Sequence, residues 1–489
     1  MSTRPAQVVP KSLSTFDKSL FDKDIKISGI AINAAQVNKG DIFIALAGTK
    51  THGANFVDQA IQNGAVAVLS DKKLDLSIPS FTHPSPREIL GELSAWVYEK
   101  PFTKLTAIGI TGTNGKTTTS NILKQIWQLC GLNSGLIGTL GVEVGSQSLD
   151  GVRTTPEADE LQALAALMVN KDLSHLVMEV SSHGLDQLRV KGAKFKVVGF
   201  SNLTQDHLDY HKNMDNYFSA KAMLFSKEYA ESAVINIDDQ YGLKLSKQVS
   251  IPIQTVSRNN KNANWYYEKI EPSNDGFEIE INSKDGKKIS GKFPLIGEFN
   301  LDNLLLAVVL ASTAGLDEVK ISSAITRLTS VPGRLEQIKV GQGFTALVDY
   351  AHTPDAVARV LEIAAKFTKG KVIAVLGCGG DRDISKRPLM GQALFIGSDK
   401  AIFTSDNPRS ESADEILKAM VAGIDLADKG FVIKDRRAAI DFAVAQASAG
   451  DCLLVLGKGH ESGQEVNGII TTFDDRIELA DSIKQALKK

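Results

Sequence analysis

An α/β chain of three domains is predicted by three features of the sequence. Continuous apolar, strand-like runs alternate with helical stretches, a glycine-and-lysine turn separates one such run from its helix, and a Pro-Gly break stands at Pro332 and Gly333. The runs lack period-two alternation, which is the pattern of parallel strands covered on both faces. At 489 residues the chain is also too long for one compact core.

The first block, residues 1–104, holds the runs "DIFIAL" (41–46) and "AVAVLS" (65–70) with the helical pattern "NFVDQAIQNG" between them, a small α/β unit. The second, residues 105–332, carries "LTAIGI", "HLVMEVS", "KVVGFSNL" and "SAVINID", separated by helical stretches. Near its end "FEIEINSKDGKKISGKF" alternates with period two around Asp285 and Gly286, which predicts a hairpin in a small antiparallel annex. The third, residues 333–489, repeats the strand and helix rhythm with "FTALVDYA", "KVIAVLG", "KAIFTSD", "GFVIKD" and "CLLVLGKG". One of its helices is well signalled, with Thr353 as N-cap and Pro354 at the first helical position.

Composition narrows the function. Basic and acidic side chains number 55 and 57, so no global positive excess is present to hold nucleic acid or an anionic membrane. Cys130, Cys378 and Cys452 make neither a disulfide framework nor a C-x-x-C site, and their apolar settings read as buried thiols. The N-terminus has no apolar signal core, and no stretch approaches the ~18 apolar residues of a membrane span. A cytoplasmic protein is the expectation.

Chemistry concentrates first in "TGTNGKTT", residues 111–118. The strict G-x-x-x-x-G-K-[ST] spacing is missed, because Ile110 stands where its first glycine would be. The physics still applies. Gly112 and Gly115 permit close backbone approach, and N–H groups from Thr113, Asn114 and the helix start at Lys116, Thr117 and Thr118 can face phosphate oxygens. Lys116 brings a cation to the terminal phosphates, and the Thr117 hydroxyl suits Mg²⁺. A purely structural turn is the bland alternative.

Two later strand ends are rich in polar groups: "EVSSHGL" supplies Glu179, Ser181, Ser182 and His183, and "NLTQDHLDYH" supplies Asn202, Asp206, His207, Asp209 and His211. An unpaired Glu179 within an apolar run is costly, so a metal ion or cation is expected to compensate it. Thr117, Glu179 and His207 make an oxygen-and-imidazole set suited to Mg²⁺. Taken singly, Glu179 also reads as a salt-bridge residue, His207 as a loop histidine and Lys221 as a solvated lysine.

With "GEFNLDNLLLA", "PGRLE" and "DYAHTPDA" added in this order, the chain resembles the Mur ligases of peptidoglycan synthesis over nearly its whole length. The resemblance implies an N-terminal domain for the UDP-sugar, a central ATP-binding domain and a Rossmann-like C-terminal domain. It implies an ATP-dependent ligase that turns a carboxylate into an acyl phosphate and lets an amine displace phosphate, with ATP and Mg²⁺ as cofactors, acting as a monomer. Lys116, Glu179, His207 and Lys221 take catalytic roles on this resemblance, and Lys221 is similar to a lysine carbamylated by CO₂ that helps hold metal. Asn300, Asn303 and Arg334 match positions near the nucleotide, while Asp349 and His352 resemble interdomain elements that close over it.

The C-terminal motifs "GCGGDRDISKRPLM", "TSDNPRSE" and "LGKGHE" resemble members adding the third peptide residue, of the meso-diaminopimelate type. Arg387 and Arg409 suit a carboxylate clamp and Glu461 an ammonium partner, with Asp406, Asn407, Pro408 and Gly457 beside them. A plain Asn-Pro turn at 406–409 is the alternative. For the partner substrate, UDP-N-acetylmuramoyl-L-alanyl-D-glutamate, the family pattern falls on Thr154, Thr155, Ser181, Gln187 and Arg189, and on Thr49, Lys50 and Thr51 at the uridine side. Asn33, Ala34 and Ala35 replace the family's Asp-Ser-Arg, which leaves backbone contacts near Ile32 to hold uracil. The rivals are a lysine-adding ligase, a folylpolyglutamate synthetase, and a nucleotide-gated interaction protein that has lost catalysis. The last is disfavoured by the presence of Lys116, Glu179, His207 and Lys221.

Overall fold

A computed structural model of the chain describes residues 3–48, 51–149, 153–273 and 276–488. The chain divides into two compact units. One runs to Phe293 and resumes over Phe299–Leu328; the other comprises Pro294–Glu298 and everything from Thr329 onward. No helix among the described residues is long and apolar enough to cross a membrane.

The first unit opens with a parallel sheet of β1 (Gly29–Ala31), β2 (Asp41–Ala45), β3 (Ala67–Ser70) and β4 (Ser80–Thr82), paired in that order. The central strands β2 and β3 are buried along their whole length because both faces are covered. Ile42, Ile44 and Leu69 pack with Leu90 and Leu93 of α1 (Pro86–Val97), while Phe43, Ala45 and Val68 pack with Val57 and Ala60 on the other side. Ala158, Ala163 and Ala166 belong to the first of these cores, so this sheet is anchored on a helix of the following segment.

That segment forms an eleven-stranded sheet. Its strands are β5 (Thr106–Thr111), β6 (Ser134–Gly138), β7 (Gly141–Val144), β8 (Gln147–Leu149), β9 (His175–Glu179), β10 (Phe195–Phe200), β11 (Ala230–Asn236), β12 (Ile253–Ser257), β13 (Trp265–Ser273), β14 (Gly276–Ser283) and β15 (Lys288–Phe293). Their spatial order is β8-β7-β6-β9-β5-β10-β11-β12-β13-β14-β15. From β6 across to β13 every neighbouring pair is parallel, and antiparallel hairpins finish both edges. The turn at Asp285 and Gly286 closes the β14–β15 hairpin, with Gly286 at φ 86°. The annex is therefore not a separate sheet: β13 pairs with β12 through Trp265 and Val256.

Register decides where the polar groups gather. Glu179 of β9 lies opposite Ile110, and Thr111 lies opposite Phe200 of β10, so β9, β5 and β10 end level and side by side. The helices that matter here are α2 (Lys116–Leu129), α3 (Ala158–Asn170), α4 (Ser182–Asp186), α5 (Met214–Ala222) and the buried α6 (Phe299–Thr313).

The second unit carries a six-stranded sheet. The short strand Glu336–Gln337 lies antiparallel to β16 (Thr345–Asp349), and β20 (Cys452–Leu456), β17 (Val372–Cys378), β18 (Lys400–Ser405) and β19 (Gly430–Val432) follow in parallel. Helix α7 (Pro354–Phe367) starts as its sequence signals, with the Thr353 hydroxyl accepting from the Ala356 N–H. Asp349 pairs with Leu456, and Cys378 with Ser405, so the segments after these strands leave one edge together. A hairpin of β21 (Gly463–Val466) and β22 (Ile469–Thr472) follows. Cys378 and Cys452 are buried, whereas Cys130 caps the end of α2 and is only half-buried, a correction to its reading as a core thiol.

Candidate active site

The loop between β5 and α2 is held in a shape that needs its glycines. Gly112 sits at φ 146°, and a Cβ there would meet Ser201 Oγ at 2.0 Å; Gly115 sits at φ 86°, and a Cβ would meet Asn303 Oδ1 at 2.2 Å. The segment after β10 pins the loop. Asn114 N–H donates to Asn202 Oδ1 (3.0 Å), Thr113 N–H to the Asn202 carbonyl (2.8 Å), and Ser201 Oγ to the Asn114 carbonyl (2.6 Å). The N-cap of α2 is Gly115, which has no side chain to bond the N–H groups of the first turn. Lys116 folds back, its ammonium donating to the carbonyls of Gly112 and Thr113, both at 2.9 Å. Asn303 is bonded to Asn300 (3.1 Å) and accepts from Thr119 (3.4 Å), which ties α6 to the first turn of α2.

Glu179 is fully buried and accepts three hydrogen bonds within the fold. Thr117 Oγ1 donates to Oε2 at 2.9 Å, Thr139 Oγ1 to Oε2 at 3.0 Å, and the Thr139 N–H to Oε1 at 2.9 Å. These three donors give both carboxylate oxygens hydrogen-bond partners, as a buried carboxylate requires. Lys221, 1% exposed, donates to the same Gly112 carbonyl at 2.8 Å and lies over the Tyr217 ring. Burial, with Lys116 nearby, pushes its amine well below the ordinary lysine value. His207 takes a left-handed backbone, φ 53°, and stands in a ring cluster with His183, Tyr210, His211 and Tyr217. Burial lowers its pKa, with the charges of Lys116 and Lys221 acting the same way and Asp206 opposing.

From Glu179 a polar track leads away from the loop. The Thr139 and Thr154 hydroxyls lie 3.2 Å apart, and Thr155 Oγ1 donates to the Glu179 carbonyl (3.0 Å) while accepting from the Ser181 N–H (2.9 Å). Arg189 donates to Gln187 Oε1 (2.6 Å) and to the Thr155 carbonyl (3.1 Å), and Glu157 pairs with both Arg189 and Arg87. Thr154, Thr155, Ser181, Gln187 and Arg189 thus come together. Ile32 does not offer its backbone amide freely, since that N–H donates to Asp159 Oδ2 at 3.3 Å. Asn33 caps the turn Ala34–Gln36. Thr51 is exposed, and Thr49 and Lys50 lie outside the described residues.

On the second unit, Asp349 is buried at the end of β16 and accepts from the N–H groups of Leu335 (2.7 Å) and Ala351 (2.9 Å). Burial raises its pKa, against the lowering influence of Arg334. The Arg334 guanidinium covers the Tyr350 ring, which His352 and His460 flank. Next to them lies the 406–409 turn. Asn407 Nδ2 donates to Glu461 Oε2 (2.8 Å), and Asn407 Oδ1 accepts from Lys458 Nζ and the Glu465 N–H, both at 3.0 Å. Gly457, at φ 109°, brings the chain against Asp406, whose Oδ2 would lie 2.8 Å from an added Cβ. Arg409 donates to the Gly380 carbonyl (2.8 Å) and faces Glu465. Arg387 is not a free clamp: its fork is taken by Glu411, at 2.9 and 2.7 Å.

Three family models match the chain: the Mur ligase catalytic domain over residues 26–98, the Mur ligase middle domain over 110–311 and the Mur ligase glutamate ligase domain over 333–459. The chain is 42% identical over 475 residues to the UDP-N-acetylmuramoyl-L-alanyl-D-glutamate--2,6-diaminopimelate ligase of Streptomyces coelicolor, covering 95% of this chain and 94% of that one. The chain belongs to the Mur ligase family. A ligase of the same name from Aquifex aeolicus is 40% identical over 450 residues, 92% of either chain. A solved structure of such a ligase superposes on this Mur ligase with a TM-score of 0.73 at 32% identity, covering 98% of this chain and 100% of the other. Folylpolyglutamate synthase of Mycobacterium tuberculosis shares the fold, with a TM-score of 0.59 at 17% identity over 76% of this chain and 92% of its own.

Residues of this Mur ligase that sequence reasoning missed are Thr139, which holds Glu179, and Lys458 and Glu411, which hold Asn407 and Arg387. Among the described residues no group of three or more His, Cys, Asp or Glu side chains is assembled for a metal. A hydroxyl and a carboxylate, from Thr117 and Glu179, do converge, and oxygen donors are what a hard divalent cation takes.

Proposed function

We propose that the chain is an ATP-dependent amide ligase of the cytoplasm that joins meso-diaminopimelate to UDP-N-acetylmuramoyl-L-alanyl-D-glutamate in peptidoglycan precursor synthesis. The relatives that carry this name at 38–42% identity support the reading. The observation that carries it is the meeting of Lys116, the Thr117 hydroxyl and the buried Glu179 carboxylate at the level ends of β9 and β5.

Carboxylate and ammonium do not condense in water, so the reaction needs an electrophile. The substrate carboxylate attacks the γ-phosphorus, an O–P bond forms, and the bond to ADP breaks. The neutral amine then adds to the acyl carbon, a C–N bond forms, phosphate leaves, and the amine proton is released. The protein's part is positioning and charge neutralisation. Gly112, Thr113, Asn114, Gly115 and Thr118 shape and line the phosphate seat, and Lys116 exchanges its two loop carbonyls for phosphate oxygens. Asn300, Asn303, Arg334 and Asp349 are given to the nucleotide.

Bound Mg²⁺ would neutralise phosphate charge, and Thr117, Glu179, His207 and Lys221 are the residues proposed to hold it. Lys221 suits this role as a carbamate. A neutral Nζ adds to the carbon of CO₂, an N–C bond forms and a proton passes to water, so a buried cation beside Lys116 becomes an anion. Ile32, Thr49, Lys50, Thr51, Thr154, Thr155, Ser181, Gln187 and Arg189 are given to the UDP-sugar peptide. Asp406, Asn407, Pro408, Arg409, Gly457 and Glu461 are given to diaminopimelate, with Arg387 able to join only by sharing or releasing Glu411.

The test is phosphate release from ATP with the UDP-dipeptide, diaminopimelate and lysine being offered separately. Release that depends on the dipeptide and on diaminopimelate supports the reading; release with lysine alone would replace it by the lysine-adding alternative.

A further inference from the structure

Lys458 is fully buried, 0% exposed, at the edge where the segments after β18 and β20 run side by side. A buried ammonium needs partners, and here they are Asn407 Oδ1 at 3.0 Å and Glu461 Oε2 at 3.4 Å. Both are residues given above to the amino acid, rather than core groups. The Asn407 amide has no freedom to flip. Lys458 and the Glu465 N–H can only donate, and both point at one atom, which must therefore be the amide oxygen. Its nitrogen is left to face Glu461, and it donates to Oε2 at 2.8 Å.

Resting on the proposed ligase reading, we propose that Lys458 is a positioning residue for the diamino acid: by fixing the Asn407 amide it holds one oxygen of Glu461 and leaves the other, Oε1, to accept the ammonium at the substrate's far end. Both protein contacts fall on Oε2, and the Glu461 side chain is 33% exposed, so the carboxylate is fixed from the interior and open on its outer side. Without the lysine, Asn407 Oδ1 keeps only the Glu465 N–H, and Glu461 loses the cation beneath it.

Steady-state kinetics on the full chain test this with Lys458→Met, which keeps the stem and removes the donor, and Lys458→Gln, which restores a donor without the charge. Loss of a charge-assisted hydrogen bond should raise KM for diaminopimelate about tenfold. KM for ATP should be unchanged, and Lys458→Gln should recover most of the loss. The proposal is overturned by a diaminopimelate KM within twofold of the unsubstituted chain, by an equal rise for ATP, or by a Lys458→Gln variant no better than Lys458→Met. Should Lys458→Met not fold, Lys458→Gln decides alone. For that variant a diaminopimelate KM raised between about twofold and about fourfold, with KM for ATP unchanged, supports the proposal, and any other pattern overturns it. Lack of amino-acid-dependent phosphate release in the unsubstituted chain would instead defeat the ligase reading itself.

Discussion

Glu179→Gln separates what the carboxylate does for stability from what it does for chemistry. In the folded chain Oε1 accepts from the Thr139 N–H, and Oε2 accepts from the hydroxyls of Thr117 and Thr139, at 2.9 to 3.0 Å. Glutamine keeps an oxygen for the backbone amide, and its NH₂ can donate to two hydroxyls, which are free to reverse. The number of hydrogen bonds survives, while charge-assisted bonds of about 1.5–3 kcal/mol become neutral ones of about 0.5–1.5 kcal/mol. Relief from burying a charge offsets part of that, so the net loss of stability is about 1 kcal/mol. Activity should fall much further. The variant turns an N–H toward the position a metal would occupy, and a lost electrostatic stabiliser of the transition state costs about 10²–10³ in kcat. Urea unfolding and phosphate release over a Mg²⁺ titration read the two quantities. A variant with kcat within threefold of the parent and the same Mg²⁺ dependence would refute the role, and a stability loss above about 4 kcal/mol would refute the hydroxyl reversal.

Native mass spectrometry in bicarbonate should find one added carboxyl group on the chain, lost on acidification and absent from Lys221→Arg; an unmodified lysine would contradict the carbamate. Asp159 is buried, and burial lifts its carboxyl to about 6 from 3.8. The folded state therefore keeps its proton through a range in which the unfolded state has released it, so stability falls as pH rises from 3.8 to about 6. That gap is worth at most about 3 kcal/mol, so Asp159→Asn should flatten the slope and gain ~1–2 kcal/mol at neutral pH, measured by urea unfolding at both ends. Arg409→Ala should cut the preference for diaminopimelate over lysine about tenfold or more in steady-state assays, because only the former carries a second carboxylate; an unchanged preference would remove Arg409 from the substrate.

The strands and the phosphate loop were legible because local chemistry dictates them. Ile42 and Phe43 face different cores, which writes an unbroken apolar run into the sequence. Gly112 and Gly115 stand where no Cβ fits, and the lysine and threonine that follow open a helix. What stayed hidden depends on which distant segments meet. Thr139 sits in an ordinary turn, and only the parallel pairing of β6 with β9 brings it to Glu179. Hence the hydroxyl and amide donors that meet Glu179 were not foreseen beside the cation expected there. Arg387 reads as a free guanidinium until the fold brings Glu411 to it, and Ile32 N–H reads as free until α3 presents Asp159. Lys458 carries no sign of burial in its own neighbourhood, because "LGKGHE" is a loop whose lysine would ordinarily face water.

The most direct measurement follows oxygen. With the acceptor carboxylate of the UDP-dipeptide carrying a heavy-oxygen label, activation through an acyl phosphate requires one labelled atom to leave with each phosphate, while the new amide keeps the other. Mass analysis of the released phosphate should show that single label, appearing only when ATP and diaminopimelate are both supplied. Phosphate carrying no label, formed alongside the lengthened peptide, would contradict the account.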